Sequence, residues 1–306
     1  MTRFLKTTAF AAALGFAAPA LAQDIIVVSH GQANDPFWSV VKNGVDKAAE
    51  HTGANVDYRA PETFDMVAMS QLIDAAVNQE PDGLVVSIPD GDALGPSIER
   101  AVSAGIPVIS MNSGSDVAGD LGAALQVGQS EFDAGTAAGE KLAEMGGTNA
   151  ICVNQEVGNV SLDQRCSGFE EGFGGSVTVV PTTNDPTEVQ SKVAAALASD
   201  ESIDTVMALG ASTAGEPSVA AANSSGRDIL VASFDLSASF LESIVAGDAA
   251  FAIDQQQFLQ GYLPVVFLAM HAKYGLVPGG DVPSGPNLVS QDKAAQVIDL
   301  SAQGIR

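Results

Sequence analysis

The stretch Ile25-Ile26-Val27-Val28-Ser29, running on to Asn34-Asp35-Pro36-Phe37-Trp38, decides the fold. Four aliphatic residues in a row, with no polar alternation, describe a buried strand. Asp35 then supplies a helix N-cap and Pro36 the first turn, where a missing N–H costs nothing. Val40, Val41, Val45 and Ala48 recur on one side of the helix that follows, and Gly53 is a suitable residue to end it. Buried strand into amphipathic helix is the opening unit of a parallel α/β sheet. It also puts Phe37 and Trp38 just past the end of the first strand, where open α/β sheets bind ligands. Phe37, Trp38 or both then offer a flat apolar face to a small polyhydroxylated ligand; the alternative is that both rings only pack the helix.

Working outward, the alternation continues. Strands are expected at 55–59, 83–88, 106–111 and 123–127, with helices at 64–79 and 94–104 between them. The pattern then restarts. Helices at 132–145, 162–173, 188–197, 217–222 and 238–246 alternate with strands at 150–153, 177–180, 205–209, 229–234 and 250–253. A long apolar helix follows over 258–274, then a Pro- and Gly-rich tail with a last short run at 297–300. Spacing of this kind implies parallel pairing through right-handed crossovers. Two similar halves favour two doubly wound α/β lobes; a (β/α)₈ barrel is the alternative that the element count also fits.

The chain has 306 residues, enough for one large domain or two ordinary ones. Hydrophobic residues make up 46% but aromatics only 6%, so Ala and Gly should let helices pack closely on the sheets. Residues 1–22 carry the pattern of an export signal: Arg3 and Lys6, an apolar stretch from Thr7 to Ala18, and Ala20-Leu21-Ala22 before the expected mature start at Gln23. The apolar stretch is too short for a membrane span, and no Cys marks a lipid anchor. The expectation is a soluble periplasmic protein without membrane insertion. Past residue 22 there are 11 basic residues against 37 acidic, a net of −26, which argues against nucleic acid as a partner. For an exported chain, Cys152 and Cys166 are expected to form a disulfide, worth about 3 kcal/mol in the chain-entropy picture. His30, His51 and His271 are scattered, so neither a metal nor a cofactor is expected.

If both halves are open sheets, their strand ends face each other across a cleft. The residues there are 30–38, 87–90 and 112–113 from the first half, and 154–159, 210–212 and 235 from the second. The set is rich in amides and carboxylates, which pair with hydroxyl groups that both donate and accept.

Several segments together resemble the ribose- and galactose-type periplasmic binding proteins of sugar import. They are Asn34 to Trp38, Pro81-Asp82-Gly83-Leu84-Val85-Val86, Ala104-Gly105-Ile106-Pro107-Val108-Ile109, Arg165 ahead of Gly168-Phe169, Ser233-Phe234-Asp235, and Ala252-Ile253-Asp254-Gln255. The resemblance implies a type I periplasmic binding protein fold: two α/β lobes joined by three hinge crossovers and closing on a monosaccharide or sugar alcohol. The lobes would comprise 23–128 with 256–285, and 129–255 with 286–306. It implies a monomer that delivers its ligand to the membrane permease of an ABC importer.

Position by position, Asp35 and Phe37 resemble the acid and stacking ring of the galactose-type members. Asn112 falls where the family places an amide or carboxylate, Asn159 is a polar contact ahead of the sugar-binding Arg165, Asp235 ends the Phe-Asp motif, and Gln255 is the amide at a crossover. Gly210 stands where the family often has Asn, so Ser212 is expected to substitute. A second stacking ring near Asn184 is missing, so Trp38 is expected to form the other wall. The cysteine pair flanks the segment from Asn159 to Arg165 and is expected to stiffen it. Bland readings stand beside these: Asp35 and Asp235 as helix caps, Arg165 answering Asp163 or Glu170, and His30 as a satisfied turn residue. A secreted glycoside hydrolase using Asp35 and Asp235 as acid and base is the alternative function, although no nucleophile motif accompanies them.

Overall fold

The computed structural model describes residues 22–31 and 35–306. Asn34 and the expected signal, apart from Ala22, lie outside the described residues. The first half runs β1 (Asp24–Val28), α1 (Pro36–Thr52), β2 (Asn55–Arg59), α2 (Met66–Val77), β3 (Gly83–Val86), α3 (Gly91–Ser103), β4 (Val108–Asn112) and β5 (Leu125–Gly128). The second runs α4 (Glu131–Glu144), β6 (Asn149–Asn154), α5 (Val160–Phe173), β7 (Ser176–Pro181), α6 (Pro186–Ser199), β8 (Thr205–Ala208), a π-helical turn (Ala211–Gly215), α7 (Glu216–Ser225), β9 (Leu230–Phe234), α8 (Ala238–Ala246) and β10 (Phe251–Asp254). The chain closes with α9 (Gln257–Tyr274), β11 (Val282–Pro283), β12 (Asn287–Ser290) and α10 (Gln291–Ala302).

These strands form two open six-stranded sheets, ordered β11-β5-β4-β3-β1-β2 and β12-β10-β9-β8-β6-β7. Two separate sheets with the same winding rule out the barrel. Within each sheet the order reverses at one strand, β1 in the first lobe and β6 in the second. Such switch points open a crevice at the strand C-termini. Pairing is parallel except for β10 with β12. Residues of β1 alternate between two cores, Ile25 and Val27 against α1 and α9, Ile26 and Val28 against α2 and α3. This is why the strand reads as an unbroken apolar run.

The tail departs from expectation. Its short apolar run lies inside α10, and β11 and β12 each extend one sheet by an edge strand. The chain therefore passes between sheets three times: after β5, after β10, and between β11 and β12.

Glycine spacing fixes one helix pair closely. A Cβ on Gly168 would sit 2.0 Å from the Phe132 carbonyl oxygen, and one on Gly172 would sit 2.1 Å from that of Thr136. Gly135 and Gly139 answer from the α4 side, where a Cβ would lie 2.3 Å from the Arg165 oxygen and 2.4 Å from the Phe169 oxygen. The small residues thus bring helix against helix as well as helix against sheet, and they set α5 on α4. The disulfide Cys152–Cys166 joins α5 to β6 on its other side.

Candidate functional site

All nine expected site residues (Asp35, Phe37, Trp38, Asn112, Asn159, Arg165, Ser212, Asp235 and Gln255) line one cleft between the lobes. Its empty space, mouth included, is about 610 Å³. Arg165 reaches it from the second turn of α5, and the others from the C-terminal end of a strand or the turn or helix start beyond one.

The first lobe supplies the aromatic surface. Asp35 caps α1 by accepting the Phe37 N–H at 2.9 Å, which fixes the turn that presents the Phe37 ring. Phe37 is half-buried, whereas Trp38 is 6% exposed and belongs to the core. The Trp38 ring lies so close on Gly31 that a Cβ there would be 1.9 Å from it. The two rings meet edge-on with centroids 5.1 Å apart. They form one continuous surface, so Trp38 is not a wall facing Phe37. Consecutive residues at the start of a helix cannot point at each other across a ligand.

The second lobe supplies the charge. Arg165 is buried and gripped by Glu131, Nε to Oε2 at 2.6 Å and Nη2 to Oε1 at 3.0 Å, with a third bond from Nη1 to the Leu209 oxygen at 3.1 Å. Its partner is therefore on α4 and is neither Asp163 nor Glu170. The guanidinium also stacks 4.3 Å above the centre of the Phe234 ring. Three of its five N–H groups are held by protein, and the remaining two belong to a side chain on the cleft wall. Burial works against its charge, but the Glu131 carboxylate holds its pKa above the ordinary value.

Asn112 ends β4 and Asp235 directly follows β9, and both take left-handed backbone, φ 64° and 68°. Asn and Asp tolerate this conformation better than other non-glycine residues. Gln255, at the crossover after β10, joins them. Its Nε2 donates to Asp235 Oδ1 at 2.6 Å, and its Oε1 accepts from Asn112 Nδ2 at 3.2 Å and from Gln260 Nε2 at 3.0 Å. Gln255 is thus a connector between lobes as much as a cleft residue. Asn159 is similarly committed, capping α5 at the Ser161 N–H and donating to Glu156 Oε2 at 2.7 Å. Ser212 sits on the π-helical turn after β8, half-buried, its hydroxyl unpaired among the described residues.

Gln155 and Glu156 fall in the expected cleft segment 154–159 without an assigned role, and Glu131 falls outside it. Glu131 opens α4 three residues past the end of β5, and its own sequence signal is its position in the first turn of a helix. Burial pushes Asp35 up to about 6, against its bond from the Phe37 N–H. It pushes Glu156 up to about 7, against hydrogen bonds from Asn159 and Asn184. It pushes Asp235 up to about 7, against the charge of Arg165. His30 is driven down to about 3 by burial, with Arg165 adding to the effect. Ser87 Oγ accepts the His30 backbone N–H at 2.9 Å and lies 2.8 Å from Nδ1, which leaves Nε2 as the other ring nitrogen. That nitrogen is 3.8 Å from Glu156 Oε2 on the other lobe, and with a neutral ring this is not an ion pair.

The lobes also touch at the cleft mouth. The Val160 N–H donates to the Pro89 oxygen at 3.0 Å, and Gln164 Nε2 donates to Asp116 Oδ2 at 2.8 Å. The arrangement is a closed one. Among the described residues no cluster of three or more His, Cys, Asp or Glu could hold a metal ion, and no helix is long and apolar enough to cross a membrane.

The chain is similar to known proteins over this whole architecture. A solved carbohydrate transporter from Acidothermus cellulolyticus, in complex with myo-inositol, superposes with a TM-score of 0.89 at 34% identity, covering 94% of this chain and 100% of that one. The xylose/arabinose-binding protein XylF of Sulfolobus acidocaldarius is 26% identical over 81% of this chain and 65% of its own length, so the match spans just under two thirds of that relative. The ribose import binding protein RbsB of Bacillus subtilis is 26% identical over 78% of each. The family model described as the periplasmic binding protein domain matches residues 25–276, and with two like-wound lobes around one cleft the chain belongs to that family.

Proposed function

We propose that this chain is the exported solute-binding component of an ABC importer and that it captures a monosaccharide or sugar alcohol by hinge closure. The observation that carries this reading is the cleft itself: one half-exposed aromatic plate from the first lobe faces carboxylates, amides and a fixed guanidinium from the second. A sugar ring presents an apolar face to the plate and hydroxyls to the rest. Each hydroxyl can donate to a carboxylate and accept from an amide or Arg165. Contacts to both lobes favour the closed form, and the ligand shifts the equilibrium by its differential affinity for that form. Cyclic polyols come first among candidates, since the relative at 34% identity is described with myo-inositol; xylose, arabinose and ribose follow from the names of the other relatives. Export would use the signal ending at Ala22, and the mature protein would act as a monomer toward its permease.

The test is a thermal-shift screen with myo-inositol, D-ribose, D-xylose, L-arabinose and linear alditols. Emission from Trp38, the one tryptophan in the chain, gives a second readout. A polyol that raises the melting temperature of the wild type but not of Phe37→Ala supports the reading, and it should be recovered chemically unchanged after incubation. No response to any polyol would defeat it.

A further inference from the structure

Five buried side-chain atoms have no hydrogen-bond partner among the described residues: Ser113 Oγ, Gln129 Oε1, Gln155 Oε1, Ser218 Oγ and Gln257 Oε1. Of their residues only Gln155 lines the cleft. A buried carbonyl oxygen left unpaired is costly, so one on a residue that lines a binding cleft calls for a donor from the ligand. Gln155 follows β6 directly, and β6 is the strand at which the second sheet reverses its order. The neighbouring strand β8 ends close by at Ala208, and Gly210 precedes the π-helical turn that follows it.

Gly210 shapes the niche. A Cβ built on it would lie 2.9 Å from Gln155 Nε2 and 2.8 Å from Thr213 Oγ1. Any side chain at position 210 would displace the Gln155 amide. The backbone around Gln155 is itself pinned: Asn154 Oδ1 accepts the Glu156 N–H at 3.0 Å, and Asn154 Nδ2 donates to Asp163 Oδ1 at 2.9 Å. The backbone that carries the amide is therefore held, and its oxygen is a free acceptor.

We propose that Gln155, in a niche kept open by Gly210, is a specificity-determining residue that accepts a hydrogen bond from one hydroxyl of the bound polyol. The proposal rests on the reading of the cleft as a polyol site and assigns one of its discriminating contacts. Where a carboxylate accepts strongly from almost any donor, a neutral amide oxygen in a fixed niche rewards one correctly placed hydroxyl. A ligand that lacks that hydroxyl, or carries it in the other epimeric position, leaves the oxygen unpaired.

The experiment titrates wild type, Gln155→Met and Gly210→Ala calorimetrically with myo-inositol, D-ribose and D-xylose and with their single-deoxy forms. For the polyol that binds, wild type should prefer the parent over one particular deoxy form by about ten-fold, a typical share for one buried hydrogen bond. Gln155→Met should bind parent and that deoxy form equally, while its preference over the other deoxy forms stays as in wild type. Gly210→Ala, which keeps the glutamine but crowds it, should lose the same preference. Melting curves of the ligand-free variants within a few degrees of wild type would show that both fold. A uniform loss across all deoxy forms, or no loss, with wild type still binding, would overturn the role of Gln155 and leave the polyol reading intact. Wild type failing to bind every polyol would overturn both.

Discussion

The back of the cleft and its mouth are built differently. At the back, Gln255 ties Asn112 of one sheet to Asp235 of the other, Gln260 Nε2 reaches the Ser284 hydroxyl at 3.0 Å, and Gln256 Nε2 reaches the Ser284 oxygen at 2.7 Å. Gln129, at the first crossover, donates to the same Glu131 carboxylate that grips Arg165. Most of these groups are buried, and many share partners with one another. At the mouth, two hydrogen bonds among the described residues join the lobes, one from the Val160 amide and one from the half-buried Gln164. A dense buried network breaks as a unit and at high cost, whereas two surface bonds open and re-form easily. The contrast identifies the moving edge. Under the proposed hinge closure, the lobes would rotate about the amide network and part at the mouth.

The comparison can be broken most severely at the back. Arg165→Ala leaves the 1%-exposed Glu131 carboxylate without its counter-charge and should cost about 3–5 kcal/mol of stability in denaturant titrations, along with ligand binding. The paired change Arg165→Met with Glu131→Leu should recover most of that stability and none of the binding, because only the cleft-facing donors are then missing. Next comes Gln255→Leu. It strips one bond from Asp235 and one from Asn112, and should lower stability by about 2 kcal/mol by the same measurement.

A third, smaller effect depends on pH. Glu156 is raised to about 7 in the closed cleft and is an ordinary carboxylate when the chain unfolds. The folded form then holds the proton more tightly. The group costs nothing below about pH 4, and its penalty grows as pH rises through about 7. Wild type should therefore lose stability relative to Glu156→Gln between pH 5 and pH 8, by about 1–2 kcal/mol, as read from paired melting curves. Bound polyol, by donating to the carboxylate, should shrink that difference. At the mouth the smallest effect is expected. Gln164→Ala should change stability by less than about 0.5 kcal/mol, and speed ligand release a few-fold in stopped-flow measurements. A mouth change as costly as Gln255→Leu would erase the distinction.

The lobes were legible in the sequence because parallel strands buried on both faces leave unbroken apolar runs, as at Ile25–Val28, and because caps such as Asp35 and stops such as Gly53 punctuate the helices. The site was legible wherever chemistry sits at a strand end, as with Asn112 and Asp235. What the sequence hid was partnership. Nothing in its spacing says that Glu131, 34 residues before Arg165, is the carboxylate that holds it. The close packing of α4 on α5 creates that pair, and the four-residue spacing of glycines on each helix was its only trace. Trp38 was ambiguous for a similar reason: the sequence shows a ring at a cleft, and only the Gly31 contact shows it packed as core. Strands β11 and β12, two and four residues long, are too short to leave a periodic signal.

The central claim is that the lobes close over a polyol, and small-angle X-ray scattering of the protein with and without a saturating polyol from the screen tests it most directly. The account predicts a larger radius of gyration for the free protein, and a profile with polyol that fits the closed structure described here. An unchanged profile, with calorimetry showing the same polyol bound, would contradict it.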